Sequence, residues 1–161
     1  MCKNKYSVKK VKKNDLISLY KVCRILYLCG RDMASKYSLH HWDNSYLKNW
    51  LIVLLCNLKN SIYLVYGRDG IAVATFQISN GIHELCFKKL ATNPDYMGKG
   101  IGTFCLSKIE EIAMENKYKY VVCEVYEKSE HAKRFYENKG YFVYGITETL
   151  KYRELKMRKE I

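Results

Sequence analysis

Gly98, Gly100 and Gly102 alternate with Lys99 and Ile101 between an apolar, strand-like run ending at Pro94 and a stretch of helical periodicity. A strand that turns through closely spaced glycines into a helix leaves the first helical N–H groups without intrahelical partners. Glycine lets a ligand approach that backbone closely, and the positive end of the helix dipole favours an anion there. The predicted chemistry is the holding of a phosphate or pyrophosphate. Two other glycine sites fit badly. A dinucleotide fingerprint needs G-x-G-x-x-G after the first strand of a parallel sheet, with an acidic residue about 20 positions on. Here three strands precede the loop and read as antiparallel. A Walker-type loop needs Gly-Lys-Ser or Gly-Lys-Thr, and this chain has Gly98-Lys99-Gly100.

Other reactive residue types are present without a pattern that recruits them. The seven cysteines form no C-x-x-C pair or other zinc spacing. Several fall at apolar positions, where a free cysteine behaves as a small hydrophobe, so reduced structural thiols are expected. His40 and His41 are adjacent, whereas helical zinc ligands favour i, i+4 spacing; no metal is expected. The net charge of +12 comes mainly from lysine, and arginine is the better bidentate reader of phosphate and bases. Solvated lysine faces explain most of it, although an anionic cofactor also benefits. The runs Lys9-Lys10, Lys12-Lys13 and Lys151 to Lys159 sustain a rival reading as a basic nucleic-acid-binding module. The longest apolar run, Trp50 to Cys56, falls far short of the ~18 residues of a membrane span. No apolar segment follows the basic start. One soluble, cytoplasmic domain over residues 1–161 is expected, as a monomer or homodimer.

Several elements must position the glycine turn. Tyr6 to Val11 alternates as an edge strand. Asn14-Asp15 caps a helix whose apolar spacing runs from Leu16 to Tyr27 and stops at Gly30. Arg31 to Trp42 has no clear period and is expected to be a loop or short helix. Asp43 or Asn44 begins a second helix carrying Leu47, Trp50, Leu51, Leu54, Leu55 and Leu58 on one side. Ser61 to Tyr66 and Ile71 to Ile78 form a hairpin about Arg68-Asp69-Gly70. Asn80-Gly81 turns into a third antiparallel strand, Ile82 to Thr92. After the glycines comes a helix with Ile101, Phe104, Cys105, Ile109, Ile112 and Ala113 on its apolar side. Tyr118 to Val125 is almost continuously apolar, which suits a strand parallel to its neighbour and buried on both faces. Ser129 caps a short helix closed by Gly140, and two strands follow, Tyr141 to Thr147 and about Leu150 to Met157.

From Leu85 onward this arrangement resembles the Gcn5-related N-acetyltransferase (GNAT) family. Two motifs carry the resemblance. Leu90-Ala91-Thr92-x-Pro94-x-Tyr96-x-Gly98-Lys99-Gly100-Ile101-Gly102 is similar to the family's pyrophosphate-binding strand, loop and helix. Ser129-x-x-Ala132-x-x-Phe135-Tyr136-Glu137-x-Lys139-Gly140-Tyr141 is similar to its second cofactor motif. The resemblance implies a mixed α/β fold. Its central, mostly antiparallel sheet would have six to seven strands, flanked by about four helices. It also implies direct transfer of acetyl from acetyl-CoA to a primary amine, with no acyl-enzyme.

Carried over by residue, the backbone around Met97, Gly98, Gly100, Ile101 and Gly102 would hold the pyrophosphate, with Lys99 and Thr103 adding side chains. Leu90, Ala91 and Thr92 would pair with the pantetheine arm as an added strand does. Ser129 and Lys133 belong to the second cofactor motif. Tyr136 matches the tyrosine that protonates the departing thiolate. A carboxylate is the usual means of deprotonating the amine, and Glu84 shares a face with Cys86, Lys88, Leu90 and Thr92 if no bulge intervenes. The chain departs from the family in two places. Met97 stands where Gln or Arg is usual and supplies only backbone; Ser129 replaces a commoner Asn. A catalytically idle CoA sensor is therefore a third reading. Tyr37, His41, Trp42, Tyr46 and Trp50 are candidates for the acceptor mouth, and the acceptor itself is left open, aminoacyl-tRNA included.

Overall fold

A computed structural model describes residues 5–42 and 59–161. Tyr46, Trp50 and the expected second helix lie outside them. Among the described residues there are three helices and a seven-stranded mixed sheet. The strands are β1 (Tyr6–Lys10), β2 (Ser61–Gly67), β3 (Ala72–Asn80), β4 (Glu84–Thr92), β5 (Tyr120–Tyr126), β6 (Phe142–Glu148) and β7 (Arg153–Glu160). The helices are α1 (Leu16–Tyr37), α2 (Ile101–Glu115) and α3 (Glu130–Glu137). Strand order is β1-β2-β3-β4-β5-β7-β6. The pairs β1–β2, β2–β3, β5–β7 and β6–β7 are antiparallel, and β4–β5 is parallel, as its apolar run predicts.

The chain forms two compact units, one of residues 1–79 and 89–108, the other of 80–88 and 109–161. In the first, Leu19, Val22 and Leu26 of α1 and Ile62, Leu64, Val73 and Phe76 of β2 and β3 are fully buried. Burying such a side chain contributes about 1.5–3 kcal/mol. In the second, Leu85, Ile109, Ala113, Val121 and Met157 fill the same role.

Local signals explain where elements start. Asp15 caps α1, its carboxylate accepting from the Ser18 N–H (3.0 Å) and hydroxyl (2.6 Å). Those bonds hold its carboxyl below the usual range. At Asp69 the side chain accepts from Ile71 N–H (3.0 Å) and Gly70 takes φ 76°, closing the β2–β3 hairpin.

The expected stop of the first helix at Gly30 is wrong. α1 runs seven residues further, to Tyr37, and ends with Ser38 in the left-handed region. A mid-helix glycine costs only about 1 kcal/mol, and this one is buried where a Cβ would lie 3.0 Å from the Trp42 carbonyl oxygen. It permits close approach instead of ending the helix. The residues after it support helix, with an Asp32–Lys36 ion pair of 2.8 Å at i, i+4 spacing.

The last strand also begins later than its sequence suggests. Thr149 organises the turn, its Oγ1 accepting from Lys151 and Tyr152 N–H groups, and Leu150 is fully exposed within it. Among the described residues no helix is long and apolar enough to cross a membrane.

Candidate functional site

In the first unit, β4 delivers the chain to Asn93, whose side chain accepts from Asp95 N–H (3.2 Å) and starts a 3-10 turn over Pro94–Tyr96. Asn93 N–H in turn donates to Val73 carbonyl on β3 (2.8 Å), fixing where the loop leaves the sheet. Met97 is extended, and its N–H donates to Pro94 carbonyl (3.1 Å), so this amide is already engaged. Gly98 and Gly100 take φ 74° and 78°, and a Cβ on either would meet nothing within 4 Å. The run from Met97 to Gly100 is exposed.

Helix α2 follows at Ile101. Its ladder opens with Phe104 N–H donating to Gly100 carbonyl (3.0 Å), so the amides of Ile101, Gly102 and Thr103 come before the first ladder donor and have no acceptor within the helix. Lys99 Nζ donates to Asp95 carbonyl (3.3 Å) and lies 4.6 Å over the Tyr96 ring, which keeps its charge at the loop. Leu90 and Thr92 are half-buried and Ala91 is buried at the end of β4. Open backbone, left-handed glycines, a helix start and a held ammonium together fit a pyrophosphate chemically.

In the second unit, the parallel ladder pairs Glu84–Cys86 with Tyr120–Val122 and extends no further. The next β4 residue, Phe87, carries the Tyr136 ring 5.7 Å from its own. Tyr136 is buried on α3 and also meets Tyr141 at 5.8 Å. Tyr141 donates its hydroxyl to Glu110 Oε1 (3.2 Å), and Lys159 Nζ donates to both Glu110 oxygens (3.0 Å each). Burial, reinforced by the Glu110 charge, holds the Tyr141 phenol far above its ordinary range, so it stays a donor. This support beneath Tyr136 has no sequence signature, because Glu110, Tyr141 and Lys159 meet only in the fold.

Other expectations require correction or qualification. Ser129 occupies the N-cap position of α3 and is buried, but its side chain makes no cap bond. The helix is instead entered through Ser129 N–H donating to Tyr126 carbonyl (2.8 Å). Lys133 pairs loosely with Glu137 on the same helix, at 4.0 Å. Lys89, inside β4, sits at φ 51°, in the left-handed region. The even spacing from Glu84 to Thr92 is therefore not one regular alternation.

Glu84 is half-buried and lies on the face of β4 opposite to Phe87. The fold does not set it beside Tyr136. It lies near Tyr144 instead, whose hydroxyl is raised by burial first and then by the Glu84 charge. Burial also pushes the Cys29 and Cys105 thiols up to about 11 and 12, which removes their thiolate at neutral pH. Among the described residues no three His, Cys, Asp or Glu side chains converge as metal ligands.

No curated protein sequence matches the chain. Among solved structures, an acetyltransferase from Streptococcus agalactiae is similar, with a TM-score of 0.76 at 15% identity, covering 99% of this chain and 100% of that one. PaiA N-acetyltransferase from Thermoplasma acidophilum, solved in complex with coenzyme A, gives 0.75 at 16%, covering 97% and 99%. A GNAT family acetyltransferase from Elizabethkingia anophelis with acetyl-CoA bound gives 0.72 at 13%, covering 99% and 100%. At such identities these likenesses speak for the fold. The sequence itself matches the acetyltransferase (GNAT) family over residues 19–141, which takes in both the glycine loop and the Tyr136 helix, and the chain belongs to that family.

Proposed function

We propose that this protein is an N-acetyltransferase that passes acetyl directly from acetyl-CoA to a primary amine. The observation that carries this reading is the exposed loop Met97–Gly100, with two left-handed glycines at the start of α2. The loop and the first α2 amides hold the pyrophosphate, and Lys99 adds charge. The end of β4, Leu90 to Thr92, pairs with the pantetheine arm. The amine attacks the thioester carbonyl, the C–N bond forms, the C–S bond breaks, and the amine proton leaves to a base. Tyr136 protonates the thiolate. The neighbours that carry coenzyme A or acetyl-CoA support this choice of donor.

A thermal shift with acetyl-CoA, CoA and NAD tests the reading. A ligand at 100 times its Kd adds about 2.7 kcal/mol of stability. Stabilisation by the CoA forms and not by NAD is expected; indifference to CoA would remove the proposal. Thiol release with a panel of amines then distinguishes an enzyme from a CoA sensor, and a steep salt dependence of acceptor KM would mark a nucleic-acid-linked amine.

Glu84 is proposed as the base. Its carboxylate, half-buried on β4 near Tyr144, would take the amine proton. In Glu84→Gln kcat/KM should fall by about 10-fold or more across the pH–rate profile. A profile identical to the parent protein would take Glu84 out of the mechanism.

A further inference from the structure

The first strand reaches the glycine loop. Tyr6 donates its hydroxyl to the Lys99 carbonyl (3.1 Å), across 93 residues of chain. Its ring lies 5.3 Å from that of Phe104, in the first turn of α2. The other end of Tyr6 is fixed by register, opposite Gly67 in the β1–β2 ladder. The side chain therefore spans from a sheet edge to one particular carbonyl between the two left-handed glycines.

That carbonyl matters because of peptide geometry. The Lys99–Gly100 bond is trans, as every described peptide bond is, so its C=O and the Gly100 N–H point in opposite directions. A donor on the carbonyl commits the amide to the other side. It also polarises the peptide group, which strengthens the N–H as a donor. Gly100, in the left-handed region on one side of this peptide plane, leaves it freer to rotate than another residue type would. Phe104 N–H, donating to Gly100 carbonyl, fixes the next plane by the helix ladder, and Lys99 Nζ returns to Asp95 carbonyl. The Lys99–Gly100 plane has Tyr6.

We propose that Tyr6 is a positioning residue for the cofactor loop, setting the Gly100 amide toward the pyrophosphate. The inference rests on the acetyl-CoA reading above. Tyr6→Phe keeps the ring against Phe104 and removes only the hydroxyl, so it isolates the bond to Lys99. In calorimetric titration with CoA, the variant should bind with a Kd raised about five-fold, at the stoichiometry of the parent protein. In steady state the KM for acetyl-CoA should rise by the same factor while kcat holds.

An unchanged Kd would overturn the proposal. So would an unchanged Kd with lowered stoichiometry, which would mean lost folded protein, or a lowered kcat with KM unmoved. A parent protein that binds no CoA would overturn the acetyl-CoA reading itself. A parent that binds CoA as well as, and no better than, Tyr6→Phe would overturn only the role of Tyr6.

Discussion

Tyr136→Phe should lower kcat at saturating acetyl-CoA by about 100-fold, the lower range for a positioned general acid, with little change in the KM for acetyl-CoA. The substitution is clean in this setting. Tyr136 is held by ring contacts with Phe87, Phe135 and Tyr141, all of which a phenyl ring preserves. What is lost is the hydroxyl. The leaving group is an alkyl thiolate, and a phenol hydroxyl set against it supplies the proton as the C–S bond breaks. If this is the role, the deficit should shrink with an aryl thioester, whose thiolate leaves without assistance. Unchanged turnover in the variant, or an equal deficit with both donors, would reduce Tyr136 to a packed aromatic. The Glu110–Lys159–Tyr141 group beside it is built on a separate set of bonds, so folding should survive the change.

Gly100→Ala should raise the KM for acetyl-CoA by about 10-fold or more, and Gly70→Ala provides its matched control. Both glycines have nearly the same positive φ, 78° and 76°, and a Cβ at either site meets nothing within 4 Å. Each variant therefore carries a positive-φ strain of roughly 1–2 kcal/mol, visible as a fall in Tm. Only at Gly100 does the new methyl stand at an amide assigned to the pyrophosphate, where it displaces the anion and disturbs the plane that Tyr6 fixes. A KM raised equally in both variants would mean that general destabilisation is responsible. A KM raised in neither would mean that the anion lies elsewhere.

What the sequence made legible was decided at short range. The Asp15 cap, the Asp69-Gly70 hairpin and the left-handed glycines of the loop each depend on residues within four positions of one another. So did the parallel setting of β5, written in its unbroken apolar run. The failures have a common origin in distant contacts. Gly30 looked like a stop because its neighbour in space, Trp42, was not visible from its neighbours in sequence. Ser129 had the right type and position for a cap, yet its hydroxyl makes no such bond in its buried setting. Lys89 adopts a backbone that its side chain disfavours, which no propensity scale announces. In the candidate site, the loop glycines and Tyr136 were readable as motifs. Tyr6 was readable only as one aromatic in an edge strand, because its partner is a carbonyl, and every residue has one.

The division of the chain into two interrupted units has a consequence for its synthesis. A chain leaving the ribosome has all of residues 1–79 and 89–108 before β5 exists, so the unit that carries the glycine loop is complete first. Residues 80–88 emerge between its two pieces, yet the Tyr120–Val122 segment that pairs with Glu84–Cys86 is made only later. That short stretch, with Leu85 and Phe87 destined for burial, has β3 beside it from the start, but its other edge stays open until β5 is made. Such a strand is exposed to mispairing while it waits. The order of translation thus leaves the glycine loop early and settled, and puts the risk of aggregation on the nine residues 80–88 ahead of it.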